Sequence, residues 1–173
     1  MNDVSTSQAS GRTEATLSEA LAQFVEEFDL DRVPGDVIAR AKLNILDALG
    51  IGFASVGFDF AKRLASALRE IGGDGAYPII GMDVRLTQRD SAHLNGTLIH
   101  GLDYDDTHSG AVVHTSASAV PTMLAVGQAM GVDGRRALGA FLVASEAASR
   151  IGAAANGGVH QRGFHPTGVV GAF

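Results

Sequence analysis

The chain has 173 residues, a formal net charge of −6, 46% hydrophobic and 18% charged side chains, and no cysteine. That length and balance fit one domain with its own hydrophobic core, and the acidic charge excludes the basic stripe that nucleic acid or an anionic membrane surface requires. Without cysteine there can be no disulfide framework, thiolate zinc site, iron–sulfur cluster or cysteine nucleophile, which suits a reducing cytoplasm, the expected location.

The opening MNDVSTSQASGRTEA is polar, poor in arginine and without the apolar segment of a secretory signal, so residues 1–15 read as a disordered N-terminus. No apolar run approaches the roughly 20 residues that span a bilayer. From Thr16 the pattern becomes helical. Leu17, Leu21, Phe24 and Phe28 form one stripe, with Glu19, Glu26 and Glu27 outside it. Asp31 and Pro34 break this helix, and a second one carries Val37, Ile38, Ala41, Ile45, Ala48, Leu49 and Gly52 on a broad apolar face. A third helix is predicted from Asp59 to Ile71, ended by Gly72, Gly73 and Gly75.

Residues 77–86 have the only strand-like character. They contain Pro78 and Gly81, so they form at most one short hairpin. Thr87 and Asp90 resemble a capping box, and the helix they open is predicted to run through HLNGTLIHGLDY to Tyr104. The next helix spans Ala119 to Met130, with Pro121 in its first turn and Gly131 at its C-terminal cap. Asp133 caps another that runs to about Ile151, and a Gly-rich loop, GAAANGGVHQRGFHPTG, follows. There is no internal repeat and no linker that divides the chain. The expectation is an almost all-α domain of about five helices.

All 6 histidines lie in the second half: His93, His100, His108, His114, His160 and His165. On a continuous helix His93, His100, Asp103 and Thr107 share one face, and His100 reaches Asp103 one turn on. A carboxylate beside an imidazole fixes its tautomer and raises its basicity, as general acid–base chemistry needs. Asp103, Asp105 and Asp106 crowd a helix C-terminus, where the macrodipole disfavours each by roughly 0.3–1 kcal/mol. The bland alternative is that Asp106 or Thr107 caps the following turn, and Asp105 points away from the His100–Asp103 face. His114 precedes a helix start among small polar residues. Pro166 holds His165 extended, Phe164 packs inward opposite it, and Thr167 caps a helix from Gly168. His160 and His93 read as structural.

The run from His100 to His108 also offers zinc- or iron-type ligands, but its three carboxylates have no fixed spacing to the histidines, and no metal is expected. Magnesium-bound diphosphate would require lysines and arginines that the neighbourhood lacks. There is no Gly-x-Ser-x-Gly elbow, P-loop or dinucleotide fingerprint.

The segments HLNGTLIHGLDYDDTH, RGFHPTGVVGAF, LDALGIGFAS and PTMLAVGQAMG resemble the MmgE/PrpD family, and the resemblance runs from about Leu17 to the end. That family includes 2-methylcitrate dehydratase, cis-aconitate decarboxylase and iminodisuccinate epimerase. The resemblance implies a helical first domain followed by an α/β second domain. Residues 16–173 then form the N-terminal part of the first domain, truncated at the C-terminus.

The resemblance further implies a cofactor-independent homodimer that makes or quenches a carbanion beside a carboxylate of a di- or tricarboxylate. It assigns catalytic roles to Asp103, Thr107, His114 and His165, with His100 and Asp106 in support. The interval from Thr107 to His114 is one residue longer than in the decarboxylase branch, which argues against decarboxylation. The family's lysines come later, whereas this chain has none after Lys62. The leading expectation is therefore a hydro-lyase of the 2-methylcitrate dehydratase type, with little or no turnover by this chain alone. The alternatives are an epimerase or isomerase of an amino- or imino-diacid, and a non-catalytic helical module that binds a partner.

Overall fold

The computed structural model describes residues 15–172. Residues 1–14 and Phe173 lie outside the described residues, and with them almost all of the expected disordered N-terminus. Helix α1 (Leu17–Glu27) starts where Thr16 and Glu19 cap each other's backbone N–H groups. A short 3-10 turn (Leu30–Arg32) leads to α2 (Gly35–Ser55) and α3 (Asp59–Gly72), then to an antiparallel hairpin of β1 (Asp74–Ile79) and β2 (Met82–Leu86). Helices α4 (Gln88–His100), α5 (Thr115–Met130), α6 (Gly134–Ala154), α7 (Gly158–Gln161) and α8 (Pro166–Val170) complete the order. The all-α class with one small hairpin is thus observed.

Helix α4 is the centre of the fold and packs against α2, α3, α5 and the hairpin. Leu94 and Leu98 point into a cluster with Ala61, Ala65, Leu68, Ile79 and Leu86. Ile99 points the other way, toward Ala41, Ala48, Ala119, Val120 and Phe141. Each of these large side chains stabilises the fold by about 1.5–3 kcal/mol through burial. A third, smaller cluster of Ala111, Val113, Ala148 and Val170 ties α6 to α8 and to the loop before α5.

Small residues let α4 and α5 approach closely. A Cβ on Gly96 would sit 3.1 Å from the Ala117 carbonyl oxygen and 3.4 Å from the Pro121 ring. Pro121 has no N–H, so that Ala117 carbonyl lacks its usual donor four residues on. Polar bonds fix the hairpin on α4. The Asn95 side chain accepts from the Ile80 N–H at 2.9 Å and donates to the Pro78 carbonyl at 3.2 Å, where Ser91 also donates.

Several boundaries differ from the sequence expectation. Helix α4 ends at His100, capped by Gly101, instead of running to Tyr104. Helix α5 begins at Thr115 rather than Ala119, which moves Pro121 from the first turn to the second. Helix α6 reaches Ala154, and the expected Gly-rich loop contains the single turn of α7. Helix α8 starts at Pro166, and its N-cap is His165, not Thr167. Phe164 is exposed rather than packed inward. Leu17, expected on the apolar stripe of α1, is also exposed, whereas Leu21, Phe24 and Phe28 are half-buried. Among the described residues no single helix is long and apolar enough to cross a membrane.

Candidate active site

Three helix ends converge at one place, and each contributes an imidazole. His100 is the last residue of α4, His114 is the N-cap of α5, and His165 is the N-cap of α8. Their ring centroids are 4.7 Å apart for His100 and His114, 5.1 Å for His100 and His165, and 6.1 Å for His114 and His165. The loop between α4 and α5 brings the carboxylates. A Cβ on Gly101 would meet the Phe60 ring at 2.6 Å, so a residue without a side chain lets the chain leave α4 here. The backbone then reverses through Asp103, whose φ of 56° lies in the left-handed region. Aspartate tolerates that region better than most residues because its short polar side chain bonds locally.

This reversal breaks the helical register on which the sequence reading relied. His93, His100, Asp103 and Thr107 do not share a helical face, because only the first two are on α4. Asp105 rather than Asp103 meets His100, and it does not point away. Its buried carboxylate lies 3.0 and 3.1 Å from His100 Nδ1 and 3.3 Å from His114 Nδ1. Asp103 is 80% exposed, and its carboxylate oxygen is 3.6 Å from His114 Nε2.

The other expected residues are placed as follows. Thr107 Oγ1 lies 3.3 Å from His114 Nδ1 and donates to the Asp105 carbonyl. His165 Nε2 is 3.0 Å from His100 Nε2, while its Nδ1 accepts the Thr167 N–H at 3.2 Å. Thr167 also accepts the His114 N–H at 3.0 Å, which anchors α8 to the start of α5. Asp106 is half-buried and turned away from the imidazoles. Its carboxylate accepts from the Ser116 N–H, the Thr115 hydroxyl and the Asn44 amide, so it holds the N-terminus of α5. His108 accepts the Ala111 N–H within its own turn, and His93 and His160 are exposed. The structure therefore brings together Asp103, Thr107, His114, His165 and His100, adds Asp105, and gives Asp106 a framework contact.

The described residues contain one further feature of the cluster. Ligand-type atoms of His100, Asp103, Asp105 and His114 all lie within 4.8 Å of one another, a donor set that zinc or iron accepts. In this arrangement, however, both Nδ1 atoms already face the Asp105 carboxylate. An open groove of about 450 Å³ borders His100 and His93 and runs along Gly101, Ala117, Ser118 and Pro121. A separate pocket of about 500 Å³, between the hairpin and α5, is lined by Phe53, Ile80 and Met123 and contains no histidine.

The MmgE/PrpD N-terminal domain family matches residues 19–173, nearly the whole of the described chain. The chain belongs to the MmgE/PrpD family. Among curated relatives it is 28% identical over 167 residues to the cis-aconitate decarboxylase-like protein oryM of Aspergillus oryzae, covering 92% of this chain and 35% of that one. It is 25% identical to a cis-aconitate decarboxylase of Aspergillus terreus, covering 95% of this chain and 35% of the relative. With the cis-aconitate decarboxylase of Mus musculus the figures are 27% identity, 90% and 33%. The chain thus spans about a third of the length of these relatives.

The relatives are named as cis-aconitate decarboxylases or, for oryM, as decarboxylase-like, whereas the sequence expectation was a hydro-lyase; the lyase-like family is common to both. Within this MmgE/PrpD domain, sequence reasoning passed over Asp105. The signal that could have found it is Gly101. Ending α4 at that glycine removes the helical spacing that linked His100 to Asp103 and leaves the following carboxylates free to fold back.

Proposed function

We propose that this chain carries the proton-moving part of a lyase site for a di- or tricarboxylate. The observation that supports this reading is the convergence of three imidazoles with Asp103 and Asp105 at the ends of α4, α5 and α8. In the proposal His114 and His165 move protons, Asp103 faces the charge that forms on His114, and Thr107 hydrogen-bonds a substrate carboxylate. Positioned acid–base groups of this kind contribute about 10²–10⁴-fold in rate. Dehydration of a 2-methylcitrate-like substrate uses two such groups, one taking a proton from carbon and one protonating the departing hydroxyl. A second reading, decarboxylation of cis-aconitate, rests on the names of the relatives. It needs a proton only after CO₂ has left.

Among the described residues no lysine or arginine is ion-paired or hydrogen-bonded to the cluster. A substrate with several negative charges beside Asp103 and Asp105 therefore needs cations from elsewhere, and the chain alone is expected to turn over little or nothing. We further infer a cofactor-free homodimer working in the cytoplasm.

The test replaces the matching third of the mouse cis-aconitate decarboxylase with residues 19–173. Water loss from 2-methylcitrate, abolished by His114→Ala or His165→Ala, is the expected result. Release of CO₂ from cis-aconitate without action on 2-methylcitrate selects the second reading. A folded, soluble fusion that does neither overturns the proposal, and full turnover by the unfused chain overturns its need for outside cations.

A further inference from the structure

We propose that Asp105 is the positioning residue of the cluster: its buried carboxylate accepts from Nδ1–H of His100 and of His114 together and holds both rings, and so leaves His114 Nε2 as the open base. This deepens the lyase reading and rests on it for its catalytic consequence, but the tautomers themselves do not depend on substrate.

The assignment follows from counting donors and acceptors. The Asp105 side chain is fully buried, and its nearest polar neighbours are the two Nδ1 atoms, at 3.0 Å for His100 and 3.3 Å for His114. A buried carboxylate only accepts, and leaving it unpaired is costly, so both Nδ1 atoms carry the proton. For His114 the other neighbours agree. The Asp105 carbonyl, 3.2 Å from Nδ1, is also an acceptor, and the Thr107 hydroxyl gives its own proton to that same carbonyl.

A neutral imidazole has one N–H, so Nε2 of both rings presents a lone pair. The lone pair of His100 is already engaged. His165 Nδ1 accepts the Thr167 N–H, so its proton sits on Nε2, and it donates across the 3.0 Å gap to His100 Nε2. One proton occupies that gap, and the three rings are satisfied without conflict.

Among the described residues His114 Nε2 alone of these nitrogens remains uncommitted, with the Asp103 carboxylate 3.6 Å away. Taking a proton from a substrate carbon turns His114 into an imidazolium. Its Nδ1–H still meets Asp105 and its new Nε2–H faces Asp103. The exposed carboxylate thus meets the charge after transfer, while the buried one sets the ring before it.

Nitrogen-15 NMR of the imidazole rings in this chain, with the rings neutral, reads the tautomers directly. The expected spectrum shows Nδ1–H for His100 and His114 and Nε2–H for His165. In Asp105→Ala, His100 has lost the acceptor that the described residues give its Nδ1 and is expected to leave the Nδ1–H form, breaking its contact with His165. His114 is expected to keep Nδ1–H through the Asp105 backbone carbonyl, but with a looser ring. Should the alanine variant not fold, the wild-type spectrum still decides: His100 or His114 in the Nε2–H form overturns the proposal. So does a folded Asp105→Ala with His100 unchanged.

In the fusion described above, Asp105→Asn is expected to lower kcat by about 10²-fold or more with little change in KM. Tautomers as expected with no turnover in any fusion would sink the lyase reading and leave the role of Asp105 in the rings intact. An unchanged kcat in an active Asp105→Asn fusion would overturn its positioning role.

Discussion

Asp106 separates framework from chemistry within the run of aspartates, and Asp106→Ala makes that separation measurable. The carboxylate accepts three bonds: from the Ser116 N–H at 3.2 Å, the Thr115 hydroxyl at 3.0 Å and the Asn44 amide at 3.4 Å. Bonds to a charged group contribute about 1.5–3 kcal/mol each, and the long Asn44 bond counts for less. The charge also faces the positive end of α5, worth about 0.3–1 kcal/mol and more when partly buried. The three bonds share one acceptor, so they do not add. Removal also strands the buried Thr115 hydroxyl.

The net cost of the substitution is about 2–4 kcal/mol. With a urea slope of about 2 kcal/mol per molar, the unfolding midpoint falls by roughly 1–2 M. Asp106→Asn keeps one oxygen for the Ser116 N–H but loses the charge and turns an amide toward a donor, so it falls by about half as much. Far-ultraviolet circular dichroism through a urea series measures both. An alanine midpoint within about 0.3 M of the wild type would refute the claim that Asp106 holds α5, given the same slope.

Two further predictions concern the supports of α4. The Arg89 guanidinium, and after it the Thr87 hydroxyl, holds the Asp90 carboxyl below its ordinary value. A folded value below the unfolded one means stability that is present above about pH 4 and lost as pH falls through the folded value. The urea midpoint difference between wild type and Asp90→Asn should therefore be constant near neutrality and shrink in acid; a gap that stays constant below pH 4 would count against it. Asn95→Ala strands the Ile80 N–H beneath the hairpin and should cost about 1–3 kcal/mol in thermal or urea unfolding, whereas a loss under about 0.5 kcal/mol would mean that the side chain does not fasten the hairpin.

The parts of the fold that were legible in the sequence are those governed by apolar spacing and by Gly and Pro. Ala41, Ala48 and Gly52 are buried on α2 as its broad apolar face predicts, and Gly131 ends α5 in the left-handed conformation expected of a capping glycine. The errors lie where tertiary bonds replace local ones. Helix α5 begins four residues early because Asp106, from a different segment, satisfies its first turn. No spacing within 115–119 announces that. His165, not Thr167, caps α8 because the Thr167 hydroxyl is taken by the His114 N–H, 53 residues away in sequence. Phe164 and Leu17 are large apolar groups whose pattern suggests a core, yet the described residues place nothing over them.

The histidine cluster was legible as a region because its residues are close in sequence or flank helix starts, and five of its expected members do meet. Its wiring was hidden, since one assumption about where α4 stops decides which aspartate reaches which ring. With a helix running to Tyr104, the 3.6-residue period pairs His100 with Asp103 and sends Asp105 outward. With the helix ending at His100 and Asp103 in the left-handed region, the same residues pair His100 with Asp105 and leave Asp103 at the rim. The two arrangements differ chemically. A carboxylate at the rim is solvated and, in the proposed reaction, free to meet the charge formed on His114, while a buried one between two Nδ1 atoms is placed to orient them. A substitution at Asp103 should therefore weaken the response of the site to protonation of His114, and one at Asp105 should change which nitrogen of His100 carries the proton and loosen the ring of His114.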